Sequence, residues 1–296
     1  MKKIVFCGCH SGGVIPLEFL LENGYPICQI VCLNLKQSKK YNISGYYDYS
    51  EIAAKNNIPI FYPIQYDLKS KQDINFFING NFDLLIQGGW QRLFPKEVLS
   101  TLDIGALGLH GSCDPLPKGR GRSPMNWSII ENRKRFLMHL FLIDQGADSG
   151  DVIDIFDFDI NDEDDIETLY MKYNISYKEL LKKNLQNILD GSYKLKTQIG
   201  IPSYYPKRTE NDGLIDWEEM DVNYINRLVK AVTFPYPGAF GIVNNKKIRI
   251  WKSRIFDTRI RDDESNYGEI IYTFEKRLII KCRGGLLLLD KWEWQN

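Results

Sequence analysis

The chain has 296 residues and a mass of 34.5 kDa, enough for one large domain with its own core and a smaller companion. Lys plus Arg and Asp plus Glu each number 38. No overall field therefore draws the protein to nucleic acid or membrane, and specificity must come from local sites. The start, "MKKIVFCGC", holds only a strand-length apolar run before His10, Ser11, Gly12 and Gly13 interrupt it. That run is too short for a signal peptide or a membrane span, and the expectation is a cytoplasmic protein.

In chain order, "KKIVFCG", "PLEFLLENGY" and "CQIVCLN" read as strand, helix and strand, with Gly24 where a left-handed cap ends the helix. "YSEIAAKNN" reads as helix, "IPIFYP" as strand, "KQDINFFING" as helix and "FDLLIQGG" as strand. Short apolar strands alternating with helices predict a parallel sheet covered on both faces, a doubly wound α/β domain with ligands at the carboxyl ends of its strands. "ALGLHGS" ends another strand, "PMNWSIIEN" is helical and "RFLMHLFLI" is a long apolar strand. A long helix begins after the acids of residues 157 to 165, which suit a helix N-terminus and its lead-in better than a bound cation. From about residue 200, "VNYINRLVKAV" reads as a short helix. "GIVNNKKIRIWKS", "GEIIYTFEKRLIIKC" and "GLLLLDKWEW" read as short strands around Asn-Asn and Gly-Gly turns, a small antiparallel β domain. The division falls between residues 1–199 and 200–296. The tail "GLLLLDKWEW" reads as a final core strand in preference to a homodimer surface.

Cys7, Cys9, His10, Cys28 and Cys32 lack the CxxC spacing of a metal site and read as small buried hydrophobes; no metal and no disulfide is expected. "FCGCHSGG" lacks the acid after the second strand that a dinucleotide loop needs. Three histidines carry any imidazole chemistry. His139 alternates within an apolar strand and reads as a core or supporting residue, and His10 sits in the first strand-to-helix loop without an obvious partner. His110 follows a strand end, and a second strand-end loop, "DQGADSGD", holds Asp144, Asp148 and Asp151. A histidine and a carboxylate on loops from neighbouring strands form an acid/base pair if they meet; ordinary loop polarity is the alternative.

"HGS…LPKGRGRSPMNW…ADSGDVI" resembles the formyltransferase family that uses 10-formyltetrahydrofolate. "YYPKRTENDGLIDW" and "FPYPGAFGIVNNKKIRIWKS" resemble the carboxy-terminal segments of methionyl-tRNA formyltransferase and of the sugar N-formyltransferases. The resemblance runs over roughly residues 1 to 290. It implies a Rossmann-like, doubly wound, mainly parallel sheet followed by a small antiparallel, OB-like domain. It also implies catalytic roles for His110 and Asp148, and 10-formyltetrahydrofolate as formyl donor, contacted by Gly88, Gly89, Trp90 and Gln91 and by Asp144 and Gly146. Two departures stand out. The family asparagine two residues before the histidine is Gly108, so Gln87, Asn126, Ser112 or a backbone N–H must serve the oxyanion. The loop between His110 and Arg120 is also two residues longer than the family's.

Residues 200–296 hold 16 Lys and Arg against 14 Asp and Glu, a poor tRNA surface. The acceptor expected is the amine of a nucleotide-linked amino dideoxy sugar bound for a surface glycan. Lys207 and Arg208 would meet its diphosphate, Tyr236 its base or sugar, and Arg120 and Trp127 the substrate. The alternatives are tRNA formylation, or a catalytically weak relative that only binds folate or a sugar nucleotide.

Overall fold

The computed structural model describes residues 2–43, 45–260 and 262–295. The chain divides into two compact units, which are taken separately. One comprises Met1–Gly121, Leu137–Phe158 and Tyr170–Tyr204, the other Arg122–Phe136, Asp159–Leu169 and Tyr205–Asn296.

In chain order the elements are β1 (Ile4–Gly8), α1 (Val14–Glu22), β2 (Ile27–Val31), α2 (Leu35–Tyr41), α3 (Ser50–Lys55), β3 (Ile60–Phe61), α4 (Lys71–Gly80), β4 (Leu84–Gly88), α5 (Lys96–Leu99), β5 (Gly105–Ser112), β6 (Arg120–Gly121), α6 (Pro124–Ile130), β7 (Arg135–Leu142), β8 (Val152–Asp159), α7 (Ile166–Asp190), β9 (Tyr204–Tyr205), α8 (Val222–Val232), β10 (Ala239–Val243), β11 (Lys246–Asp257), β12 (Ile270–Phe274), β13 (Arg277–Cys282) and β14 (Gly285–Gln295).

The large sheet has the order β3-β2-β1-β4-β5-β7-β8. β1 is an interior strand, parallel to β2 and β4, and all five of its residues are buried, as an apolar strand covered on both faces requires. Where β1 and β4 end, Gly8 stands opposite Gly88, and a Cβ on Gly88 would overlap the Phe6 ring. The chain reverses at β7, which runs antiparallel to β5 with His110 opposite His139 and Gly108 opposite Phe141. This is the doubly wound, mainly parallel α/β domain expected from the sequence.

Besides the short α5, β6 and β9, two longer elements were not anticipated. α2 is a polar helix after "CLN", fixed by a capping box in which Asn34 and Gln37 exchange side-chain to backbone bonds. β8 takes Asp157 and Asp159, so the acidic run begins on a strand, and the helix start falls to Asp165, which accepts the Thr168 N–H at 3.0 Å.

In the second unit, β10-β11-β14-β13-β12 form an antiparallel sheet. Asn244 and Asn245, both at positive φ, make the two-residue turn from β10 to β11, as such a turn demands. β14 is an interior strand of this sheet, with Leu286 to Leu289 all buried. α8 starts at the Asp221 cap and presents Val222, Ile225, Leu228, Val229 and Val232 as a buried stripe at helical spacing. Among the described residues, no helix is long and apolar enough to cross a membrane.

Candidate active site

His110 comes from β5, where the pleat turns its side chain inward; it is 8 % exposed. Its Nε2 lies 2.8 Å from the Gly119 carbonyl, which can only accept, so that nitrogen carries the proton. Its Nδ1 lies 3.4 Å from Oδ2 of Asp148. Asp148 sits in the connection between β7 and β8 at φ +53°, and its carboxylate also accepts the Gly121 N–H at 3.2 Å. The structure thus brings the histidine and the carboxylate together, but His110 lies within β5 and not on a loop after it, so only Asp148 is on a strand-end loop.

His139 is fully buried beneath them. Its Nδ1 donates to the His110 carbonyl at 3.2 Å, and its Nε2 accepts the Leu116 N–H at 3.3 Å. Burial holds this imidazole neutral, its pKa pushed down to about 4. His139 therefore ties β5 to the lengthened loop. Ser112 closes that loop from within, donating to the Lys118 carbonyl at 2.8 Å. Leu116 packs with Phe141 and Val152.

The expected substitutes for an asparagine at position 108 are already committed. A Cβ on Gly108 would meet Phe141 Cζ at 2.7 Å and Ile143 Cγ1 at 2.8 Å, so this place is filled by apolar side chains. The Gln87 amide donates to the Trp90 carbonyl at 2.8 Å. Asn126 lies in the second unit, 2 % exposed, and donates to the Ala231 carbonyl at 2.7 Å.

The stretch Gly88–Gln91 folds over the end of β4. Gly89 has φ +78°, and a Cβ there would reach His10 Cβ at 2.6 Å, so glycine lets the His10 loop close. The Gln91 N–H donates to the Tyr66 hydroxyl at 3.0 Å. Trp90 is neither an exposed anchor nor open for stacking in this structure. It is 3 % exposed, edge-on to Tyr66 and near-parallel to Phe94, and its Nε1 finds no acceptor among the described residues. Asp144 turns onto its own loop, accepting the Gly146 N–H at 2.9 Å and the Ser149 hydroxyl at 2.5 Å.

Arg120 is 9 % exposed and directs its guanidinium inward to Gln198 and to the Tyr204 hydroxyl. Gln198 had no signal in the sequence: it lies in an irregular stretch 50 residues from Asp148, whose carbonyl its amide reaches at 2.9 Å. In the second unit, Trp127 stacks on Tyr205 at 5.8 Å, and the Arg208 guanidinium covers Trp127 at 4.7 Å. Lys207 is exposed, and Tyr236 is half-buried with its N–H on the Thr233 carbonyl at 3.0 Å. The cysteines are free, and among the described residues no group of three or more His, Cys, Asp and Glu is placed to hold a metal ion.

Two sequence profiles match the chain: Formyl transferase over residues 49–185, and Formyl transferase, C-terminal domain, over residues 207–296. Fold and match together define the class, an α/β group-transfer enzyme with an appended antiparallel sheet. The chain belongs to the formyl transferase family. A methionyl-tRNA formyltransferase from Ruminiclostridium cellulolyticum is 28 % identical over 99 % of this chain and 92 % of its own length. The bifunctional polymyxin resistance protein ArnA of Wigglesworthia glossinidia brevipalpis is 32 % identical over 86 % of this chain, which spans 38 % of that longer protein. Among solved structures, an N-formyltransferase from Helicobacter canadensis in complex with folinic acid and dTDP-3-aminofucose superposes with a TM-score of 0.70. It is 20 % identical and covers 99 % of this chain and 100 % of its own, a likeness of fold.

Proposed function

We propose that the protein moves a formyl group from 10-formyltetrahydrofolate to the primary amine of a nucleotide-linked amino dideoxy sugar, a step toward a formamido sugar for a surface glycan. The observation that carries this reading is the His110–Asp148 pair within a chain of the formyl transferase family. The choice of acceptor is supported by the full-length likeness to a fold that holds a dTDP-amino sugar and by the near-neutral charge of residues 200–296. The donor is supported by the same likeness, since that structure is in complex with folinic acid. The folate supplies an activated formyl group. We assign the domain division to residues 1–199 and 200–296 and place the reaction in the cytoplasm.

The amine must be neutral to attack, and the formyl oxygen gains negative charge as the new C–N bond forms. Asp148, whose side chain keeps 23 % of its surface exposed, takes the proton from the amine. The contact between Asp148 and His110 Nδ1 lets that proton pass to the imidazole, which returns it to the departing nitrogen. Gly108 offers no side-chain donor to that oxygen, so main-chain N–H groups carry the charge.

The test mixes purified protein, 10-formyltetrahydrofolate and a panel of nucleotide-linked 3-amino and 4-amino dideoxy sugars. A formylated sugar is the expected product. Formylation of charged initiator tRNA instead, with steep salt dependence, would replace this reading with that of the methionyl-tRNA relative. Tight folate binding without turnover on any amine would make the protein a binding relative.

A further inference from the structure

Asp148 holds its carboxylate against His110 from the left-handed backbone conformation, which is uncommon outside glycine although Asp tolerates it better than most residues. The strands on either side do not impose it, since β7 ends at Leu142 and β8 begins at Val152. The stretch after α7 is hydrogen-bonded to this turn. Lys196 and Val152 form an isolated antiparallel bridge, exchanging N–H to carbonyl bonds of 2.8 and 2.9 Å. In that register, two residues further along one segment and two back along the other, Gln198 faces Gly150.

There the Gln198 side chain replaces a backbone ladder. Its Nε2 donates to the carbonyls of Asp148 at 2.9 Å and Gly150 at 2.7 Å, using both amide hydrogens on the two ends of one turn. Its Oε1 accepts from Arg120, at 2.6 Å from Nη2 and 3.2 Å from Nε. A guanidinium can only donate and the two carbonyls can only accept, so the network permits a single orientation of the carboxamide. Arg120 is itself fixed by a bond from Nη1 to the Tyr204 hydroxyl at 3.3 Å and by its N–H on the Ser203 carbonyl. Its chain neighbours complete the clamp: the Gly119 carbonyl holds Nε2 of His110, and the Gly121 N–H holds the Asp148 carboxylate.

We propose that Gln198 is a positioning residue for the His110–Asp148 pair: its carboxamide, braced by Arg120, holds the Asp148 backbone in the left-handed conformation that turns the carboxylate onto His110. The proposal rests on the functional reading above for its kinetic consequence and on geometry alone for its structural one.

Two variants separate the halves of the bridge. Gln198→Glu keeps an acceptor for Arg120 but sets an oxygen against the two carbonyls, whereas Gln198→Leu removes both contacts. With the formyl donor and the best amine of the panel, each lowers kcat about 10- to 100-fold while both KM values stay within about threefold, because geometry at the reacting atoms changes and ground-state binding does not. In an Asp148→Ala background Gln198→Leu causes no further loss. Should Gln198→Leu not accumulate as folded protein, Gln198→Glu carries the test.

Crystal structures of the variants provide a readout independent of turnover: Asp148 leaves positive φ and its carboxylate moves off His110 Nδ1. A kcat within about twofold of wild type for Gln198→Glu, a rise in KM alone, or an unchanged turn and His110–Asp148 contact overturns the proposal. If wild type formylates no amine, the functional reading fails and the crystal structures alone decide the role of Gln198.

Discussion

The ring of Phe141 stands across the strand pair from Gly108, its Cζ 2.7 Å from where a Cβ on that glycine would lie. Phe141 is 4 % exposed and packed with Leu116 and Val152, so it cannot yield by swinging into solvent. A side chain at position 108 therefore overpacks a closed site. Gly108→Ala is expected to cost about 1–3 kcal/mol, read as a lower urea midpoint at unchanged m. With Phe141→Leu, which vacates the same volume, the loss is smaller than the sum of the two single losses. Strict additivity of the pair would show that the two positions do not share this space.

His110 and Asp148 are expected to act as a unit. Each alanine variant loses about 100- to 10,000-fold in kcat for formyl transfer, and the double variant is little worse than the more damaged single. The measurement is steady-state production of formylated amine at saturating donor and acceptor. Folate-dependent turnover that survives both changes would remove the pair from the mechanism.

The parallel, doubly wound character of the large sheet was legible because short, mostly apolar runs such as Ile4–Gly8 and Leu84–Gly88 alternate with helices and suit buried parallel strands. The proximity of His110 and Asp148 was legible in part: Asp148 follows the end of β7, and His110, read as following a strand, lies within the last residues of β5, near the same edge of the sheet. α2 escaped because its sequence, LKQSKKY, has no apolar stripe and is defined by its cap. β8 escaped because its alternation is half-buried and acidic. The side-chain amides of Gln87 and Asn126 looked available because a main-chain carbonyl, which every residue carries, leaves no mark in the sequence as their acceptor. Their acceptors are the main-chain carbonyls of Trp90 and of Ala231, the latter 105 residues away. Gln198 could be read only once the chain was folded, since its meaning lies in two carbonyls that any residue supplies.

Asn126 provides a test of that difference. Its amide satisfies a carbonyl of α8 inside the second unit, so Asn126→Leu leaves this acceptor buried and unpaired. The expected result is a stability loss of about 1–3 kcal/mol, with kcat for formyl transfer within about twofold of wild type. A large fall in kcat at unchanged stability would return Asn126 to the oxyanion role first assigned to it.

The buried His139 makes stability depend on pH in a defined direction. Burial, chiefly, and the nearby His110 imidazole hold its folded pKa at about 4, below the ordinary 6.5, so the unfolded chain takes up this proton first as pH falls. Its contribution is therefore fully present above about pH 6.5, fades through the interval and is lost toward pH 4, where both states are protonated. A shift of this size corresponds to about 3 kcal/mol. Protonation at Nε2 also removes the acceptor for the Leu116 N–H, so the lengthened loop loosens with the same titration. In urea unfolding, His139→Gln is expected to be less stable than wild type at neutral pH, with the gap closing as pH approaches 4. The carboxylates titrate in both proteins and cancel from the difference. A gap that stays constant across this range would mean that His139 does not carry the acid sensitivity.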